Sequence, residues 1–256
     1  FQSGVPPDYF SSTGQLWGTP TYFWSKHKRT NFEWWRKRFK RQFEHMDLLR
    51  LDHFRGLAGY WRVSGNAKTA ICGKWINSPG RTLLNKLKKD LGDDYLPIIA
   101  EDLGVITPDV EKLRDNFELP GMKILQFAFD GKEDNPYLPK NIEGENWAVY
   151  TGTHDNSTSI SWWECLDNNS KTRIKDEYEF SENPSWSLIK IGMDTKANLF
   201  IAPIQDILSL DDSSRLNIPG TIKNNWKWKL NRPLGEIEDN LRRFSDLGNS
   251  FGRTRK

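Results

Sequence analysis

Apolar positions in this chain recur with two distinct periods. Between about Thr30 and Met46, the residues Phe32, Trp35, Phe39, Phe43 and Met46 fall three and four apart. That is the spacing of one face of an α-helix. Thr30 and Glu33 stand three apart at its start, as in a capping box. Ser78-Pro79 opens a second helix as N-cap and first helical residue, with Leu83, Leu84, Leu87 and Leu91 inside and Gly92 just past the end. Thr107-Pro108 opens a third, carrying Val110, Leu113 and Phe117. Asn156 or Ser157 caps a helix through Trp162 and Trp163, and Asn183-Pro184 opens another. From about Gly235 the tail reads as a polar helix fraying into GRTRK.

Short, continuous apolar runs lie between these helices. They are LLRLDHF, LPIIAED, MKILQFAF from Met122, WAVYTGTHD from Trp147 and LFIAPIQD from Leu199. Strands apolar on both faces, alternating with helices, indicate a parallel sheet in an α/β fold. Two architectures satisfy that pattern: an open doubly wound sheet and a (β/α)8 barrel. Asn66 to Ser78 reads as a long βα insertion. No internal repeat, low-complexity segment or linker-like shift interrupts the pattern.

Composition narrows the function classes. Of 256 residues, 36% are hydrophobic and 13% aromatic, enough for a packed core and too many for wholesale disorder. The 12 Trp and 14 Phe imply large packed layers or flat surfaces for a ring-shaped ligand. Lys and Arg number 37 against 34 Asp and Glu, a net charge of +3, too mild to imply nucleic acid. Arg36, Lys37, Arg38, Lys40 and Arg41 therefore read as a solvated helix face. No apolar run approaches a membrane span, and no charged-then-apolar leader opens the chain.

Cys72 and Cys165 cannot build a disulfide framework or a zinc site alone. A reduced, cytoplasmic setting follows, with both thiols expected to be buried and inert. His27, His45 and His53 lack metal-ligand spacing, GNAKT and GKW lack the full phosphate-loop pattern, and no metal or organic cofactor is expected. The tripeptides Asn156-Ser157-Thr158 and Asn168-Asn169-Ser170 match the glycosylation pattern but carry no weight without a secretory signal.

The chemistry sits at the strand ends. Asp52 ends LLRLD, Glu101 ends LPIIAE and Asp155 ends VYTGTHD. In a barrel all strand C-termini face the active site, so three carboxylates would converge. Retaining glycoside chemistry needs such a trio: a nucleophile, a proton donor of raised pKa, and a group that holds the distorted sugar. Taken singly, an acidic residue beyond a strand is as easily a helix cap. Arg50 lies two residues before Asp52, so strand alternation points both side chains the same way. A guanidinium there would keep Asp52 ionised. His154 precedes Asp155 and can donate to a sugar hydroxyl. Trp162 and Trp163 sit in helical context and are assigned to the core, and His53 is assigned to orienting the strand tip.

The runs RLDHFRGLAGYW, LPIIAEDLGVITPDV, LPGMKILQFAFDG, NPYLP and VYTGTHDN closely resemble the 4-α-glucanotransferase (amylomaltase, disproportionating enzyme) family. The opening GVPPDYFSSTGQLWGTP is similar to that family's acceptor-side loop. APIQDIL, RLNIPGT and NNWKW are similar to its last barrel unit. The resemblance covers about Gly4 to Leu230 and implies a (β/α)8 TIM barrel of the α-amylase type, with about five of eight βα units in this chain. By that resemblance Asp52 matches the nucleophile, Glu101 the acid/base and Asp155 the transition-state-stabilising aspartate. Arg50 and His154 match supporting residues. Tyr9, Phe10, Gln15 and Trp17 fall in the glucan-contacting loop, with Trp17 stacking on a glucose face, and Asn217 matches a residue at the cleft rim.

The expected partner is an α-1,4-glucan or malto-oligosaccharide as both donor and acceptor, with neither nucleic acid nor membrane. The expected reaction is retaining transfer of a glucan segment. The alternatives are an α-amylase-type hydrolase using the same trio and an inactive fragment that only binds glucan. The resemblance also implies longer relatives that carry early barrel strands before the GVPPDYF loop. Residues 1–256 are thus expected to be one partial catalytic barrel domain, poorly active or unstable without its missing N-terminal barrel segment.

Overall fold

In a computed structural model of the chain, covering residues 1–7, 11–92, 95–104 and 106–253, the alternation of apolar runs and amphipathic helices resolves into an α/β architecture. The chain divides into two compact units, Phe1–Gly121 and Met122–Lys256.

The first unit opens with β1 (Gln2–Val5) and β2 (Gln15–Pro20), followed by α1 (Trp24–Arg29), α2 (Glu33–Phe43) and β3 (Leu49–Leu51). A hairpin of β4 (Gly59–Val63) and β5 (Gly73–Asn77) precedes α3 (Gly80–Leu91), β6 (Ile98–Ala100) and α4 (Pro108–Asp115). Two sheets form. β3 pairs with β6 in parallel, Leu49 opposite Ile98 and Leu51 opposite Ala100. β2, β1, β4 and β5 make a separate antiparallel sheet in that order.

Asn66 to Ser78 lies between β3 and α3, as the reading of a βα insertion expects, and β5 and the turn before it supply part of that second sheet. Its strands are mostly half-buried or exposed along their length, so they lack the apolar runs that marked the buried strands. Gly73 is required there. A Cβ would lie 2.4 Å from the Trp61 ring on the neighbouring strand.

The predicted stripe of α2 is observed, with Phe32, Trp35 and Phe39 buried and Phe43 packed against the same core. Met46 lies beyond the helix and is exposed. The capping box is not observed. Thr30 closes α1 instead, its Oγ1 donating to the Lys26 and His27 carbonyls, and Phe32 takes the cap position of α2 in a left-handed conformation. Two short helices back to back use the same residues that one long helix would need for its start. The basic face of α2 is a solvated, ion-paired surface: Arg36 pairs with Asp90, Lys37 with Glu33, and Arg41 with Glu44.

Helix α3 begins at Gly80 rather than Pro79. Ser78 does not cap it: Pro79 holds the cap position, and the Ser78 hydroxyl finds no partner among the described residues. The expected C-terminal signal is present: Gly92 has φ +66, the left-handed closure that glycine tolerates best. Leu83, Leu84 and Leu87 are buried while Leu91 is exposed. They join Phe54, Ile98, Ala100, Val110, Leu113 and Leu119 in one core beneath the β3–β6 pair.

In the second unit β7 (Gly121–Ile124, whose first residue closes the first unit), β8 (Trp147–Tyr150) and β9 (Leu199–Ile201) form a three-stranded sheet. β8 and β9 run parallel, Val149 opposite Phe200. Helices α5 (Ser159–Cys165), α6 (Asn168–Tyr178) and α7 (Pro184–Asp194) separate β8 from β9, and α8 (Ile204–Ile207) and α9 (Glu238–Ser250) follow.

Helix α7 is capped as expected, the Asn183 side chain accepting from the Trp186 N–H. Thr158 rather than Asn156 or Ser157 caps α5, since Asn156 is occupied by Thr153. α6 was not anticipated: its only buried residue is Ile174, too few for a visible stripe. α9 is amphipathic rather than polar, with Phe244 and Leu247 packed on Trp186, Ile189 and Met193. Trp162 and Trp163 pack on the core as assigned. Both cysteines are free and exposed, against the expectation of burial. Among the described residues, no helix is long and apolar enough to cross a membrane.

Leu84 is fully buried in the first unit's core. Leu84→Ala is expected to cost about 2–5 kcal/mol, measured as a shift in the midpoint of urea unfolding with the slope unchanged.

Candidate active site

Parallel pairing dictates the local geometry of the first two acidic strand ends. The Glu101 N–H donates to the Leu51 carbonyl at 3.0 Å and the Phe54 N–H to the Glu101 carbonyl at 3.0 Å. The residues immediately after β3 and β6 are therefore held side by side. Arg50 and Asp52, two apart along β3, meet as expected, with Nη1 2.8 Å from Oδ1. The Asp52 side chain is 78% exposed, so this pair orients the carboxylate more than it stabilises the fold.

Glu101 lies in a different environment. Its Oε2 accepts the His53 N–H at 2.6 Å and its Oε1 the Leu103 N–H at 3.1 Å. Burial is the largest influence and raises its pKa above the ordinary glutamate value; the two backbone donors and Arg50 oppose that rise and Asp52 adds to it. One strand end thus carries an exposed carboxylate beside a guanidinium and the next a half-buried one whose pKa is raised. Adjacent Asp102 is structural, paired with Arg114 of α4.

His53 supplies the Glu101 donor because its backbone is left-handed, at φ 47. The chain turns sharply at this residue, aiming its N–H back across the strand ends. Burial pushes the imidazole pKa down to about 4, with Arg55 adding to the depression and Asp52 opposing it. The ring meets the edge of Trp17 at 4.7 Å between centroids. Trp17 is 41% exposed, and its Nε1 lies 3.3 Å from Gln15 Oε1 on the same strand. Trp17, Tyr22, Arg50, Asp52, His53 and Tyr60 line a cleft of about 850 Å3. Tyr9 and Phe10 lie outside the described residues.

The second unit holds Asp155, His154 and Asn217. Asn217 Nδ2 donates to Asp155 Oδ1 at 2.6 Å, and His154 Nε2 lies 3.5 Å from the same oxygen. Sequence reasoning missed two neighbours. Arg215 donates to the Asp155 carbonyl at 2.6 Å, and Trp226 lies against the His154 ring at 5.2 Å. Both fall in runs that were recognised as wholes, RLNIPG and NNWKW, without the individual side chains being singled out. Asp206, likewise not singled out in the sequence, is almost fully buried behind the β8 end. It accepts from the Thr151 hydroxyl, the Ser159 N–H and the Ser159 hydroxyl at 2.6–2.7 Å. Among the described residues, no group of His, Cys, Asp and Glu is arranged to hold a metal ion.

The family model described as 4-alpha-glucanotransferase matches residues 1–234. The chain belongs to that family. It is 49% identical over 229 residues to the 4-alpha-glucanotransferase of Synechocystis sp., covering 89% of this chain and 45% of that protein. It is 45% identical over 257 residues to the chloroplastic/amyloplastic 4-alpha-glucanotransferase of Arabidopsis thaliana, covering 98% and 44%. Amylomaltase from Streptococcus agalactiae, solved in complex with acarbose, superposes with a TM-score of 0.92 at 35% identity, covering 99% of this chain and 51% of that one. The chain spans about half the length of the curated relatives it matches.

The depressed His53 pKa makes a pH prediction for the fold. A histidine lowered from 6.5 to about 4 contributes stability that is present above 6.5 and lost as pH falls toward 4. The melting temperature of the wild type is expected to fall as pH is lowered through that window. His53→Asn, which keeps a left-handed backbone accessible, is expected to show a flatter profile.

Proposed function

We infer that this chain carries the catalytic carboxylates of a 4-alpha-glucanotransferase, moving a segment of an α-1,4-glucan to a glucose or glucan acceptor by retaining double displacement. The observation that carries the reading is the unequal pair at the ends of β3 and β6. Asp52 is exposed beside Arg50, and Glu101 is half-buried with a raised pKa. Burial raises the pKa of Glu101, which suits a proton donor, while Asp52 stands exposed beside a guanidinium, which suits a nucleophile.

In this reading Glu101 protonates the leaving oxygen while Asp52 attacks the anomeric carbon and forms a glycosyl ester. The leaving glucan departs with that proton. Glu101, now a carboxylate, takes the proton of the acceptor 4-hydroxyl, whose oxygen displaces Asp52 and restores the α configuration. Asp155, held by Asn217, stabilises the flattened sugar through its hydroxyls, and Arg50 and His154 support the two aspartates. Trp17 offers an exposed indole face on which a glucose ring can stack, and Gln15, Tyr9 and Phe10 belong to the same sugar-contacting segment. A transferase must exclude water from its intermediate, and residues 4–20 are assigned that task.

The fold that accompanies this reading is a (β/α)8 barrel, of which β3, β6, β7, β8 and β9 supply about five strands. Residues 1–256 form part of one catalytic domain. The amylomaltase solved with acarbose makes a pseudo-oligosaccharide the natural first ligand to test. Two free cysteines fit a reducing, cytoplasmic setting.

Asp52→Ala in the intact protein is expected to abolish maltotriose disproportionation while acarbose binding persists. Surviving disproportionation would overturn the nucleophile assignment. The basic limb of the kcat/KM profile is expected above the ordinary carboxylate range, because Glu101 must be protonated to act, and Glu101→Gln is expected to remove both that limb and most of the activity.

A further inference from the structure

Asp155 does not hold its own position. It lies beyond the end of β8, in a segment between Gly152 and Thr158 that belongs to neither strand nor helix. Its side chain is 47% exposed. A carboxylate on such a segment would sample many rotamers unless another element fixed both its backbone and its oxygens.

That element is the loop after α8. Arg215 spreads its guanidinium over three acceptors at once. Nη2 donates to the Asp155 carbonyl at 2.6 Å, Nη1 to Ser157 Oγ at 3.0 Å, and Nε to the Asn217 carbonyl at 2.9 Å. Two of these fix the Asp155 segment. The third fixes the residue whose side chain donates to Asp155 Oδ1. Arg215 is itself held, with Asp212 Oδ2 3.6 Å from Nη1 and its side chain only 18% exposed. Asp212 in turn accepts the Thr158 N–H at 2.8 Å and donates its own N–H to Ser161 Oγ at 3.0 Å. The loop is thus tied to the first turn of α5 as well. Among the described residues, Asp155 Oδ2 makes no hydrogen bond, so one carboxylate oxygen is fixed by protein and the other is available to a ligand.

We propose that Arg215 is the positioning residue for Asp155: its three-way fork locks the strand-end segment and, through Asn217, the orientation of the carboxylate. It touches no reacting atom. The proposal rests on the transferase reading above, because it matters only if Asp155 meets the strained sugar. A planar guanidinium suits the task. It offers donors in three fixed directions, whereas an ammonium is a single flexible point charge.

Steady-state maltotriose disproportionation by the intact protein tests this. Misplacing a group by about 1 Å costs roughly 10²-fold in rate. Arg215→Ala is expected to lower kcat by about that factor while KM changes less than threefold, because ground-state binding to the rest of the cleft remains. Arg215→Lys is expected to recover little. Guanidinium ion at millimolar concentration is expected to restore part of the Arg215→Ala activity, with methylammonium failing to do so.

Asn217→Ala removes only the oxygen-directed link and is expected to lower kcat less, without loss of thermal stability. Arg215→Ala with wild-type kcat would overturn the proposal. So would a loss that tracks melting temperature and that guanidinium does not relieve. If the wild-type protein does not disproportionate maltotriose, the transferase reading fails instead, and the two failures are told apart by the unmodified protein alone.

Discussion

Parallel pairing of β3 with β6 is the constraint on which the first unit's chemistry depends. A parallel ladder keeps successive strands in step, and here it stops both at the same level, with the hydrogen bonds between Leu51, Glu101 and Phe54 continuing it past the last strand residues. The acidic residues that end those strands are side by side as a consequence of backbone geometry. The core beneath, built on Phe54, Leu83, Leu84 and Ile98, fixes that geometry by filling the space under the strands rather than by touching the carboxylates.

The two units treat buried carboxyls alike and exposed ones differently. Glu101 and Asp206 are both raised by burial and both satisfied by nearby donors. Burying an acidic group without such donors would cost several kcal/mol. Among the described residues Glu101 accepts from two backbone N–H groups, whereas Asp206 is enclosed by hydroxyls and a backbone amide and ties β8 to α5. Asp52 and Asp155 face solvent and depend on arginine. For Asp52 the arginine is on its own strand; for Asp155 it comes from a loop some sixty residues onward.

What the sequence made legible follows from how local each signal is. The buried strands announced themselves as continuous apolar runs, and α3, α4 and α7 by a proline or glycine at a terminus whose backbone demands it. Arg50 and Asp52 were paired by strand alternation alone. The antiparallel sheet was hidden because its residues are half-exposed and its partners lie far apart, β1 against β4. Thr30 was misassigned because a hydroxyl that closes one helix and one that opens the next look alike in sequence. Arg215 was hidden for the same long-range reason, and His53 because its decisive contribution is a backbone N–H that any residue could supply in the left-handed conformation. The side chain gives no sign of it.

The contact between His154 and Trp226 has a spectroscopic consequence. An indole that is 63% exposed emits at the long-wavelength end of the tryptophan band, and an imidazole 5.2 Å away lies close enough to quench it. The chain thereby carries a native reporter beside Asp155. A ligand that displaces water from that indole changes the intensity and colour of its emission, and subtracting the signal of a Trp226→Phe variant separates it from the rest of the 12 tryptophans.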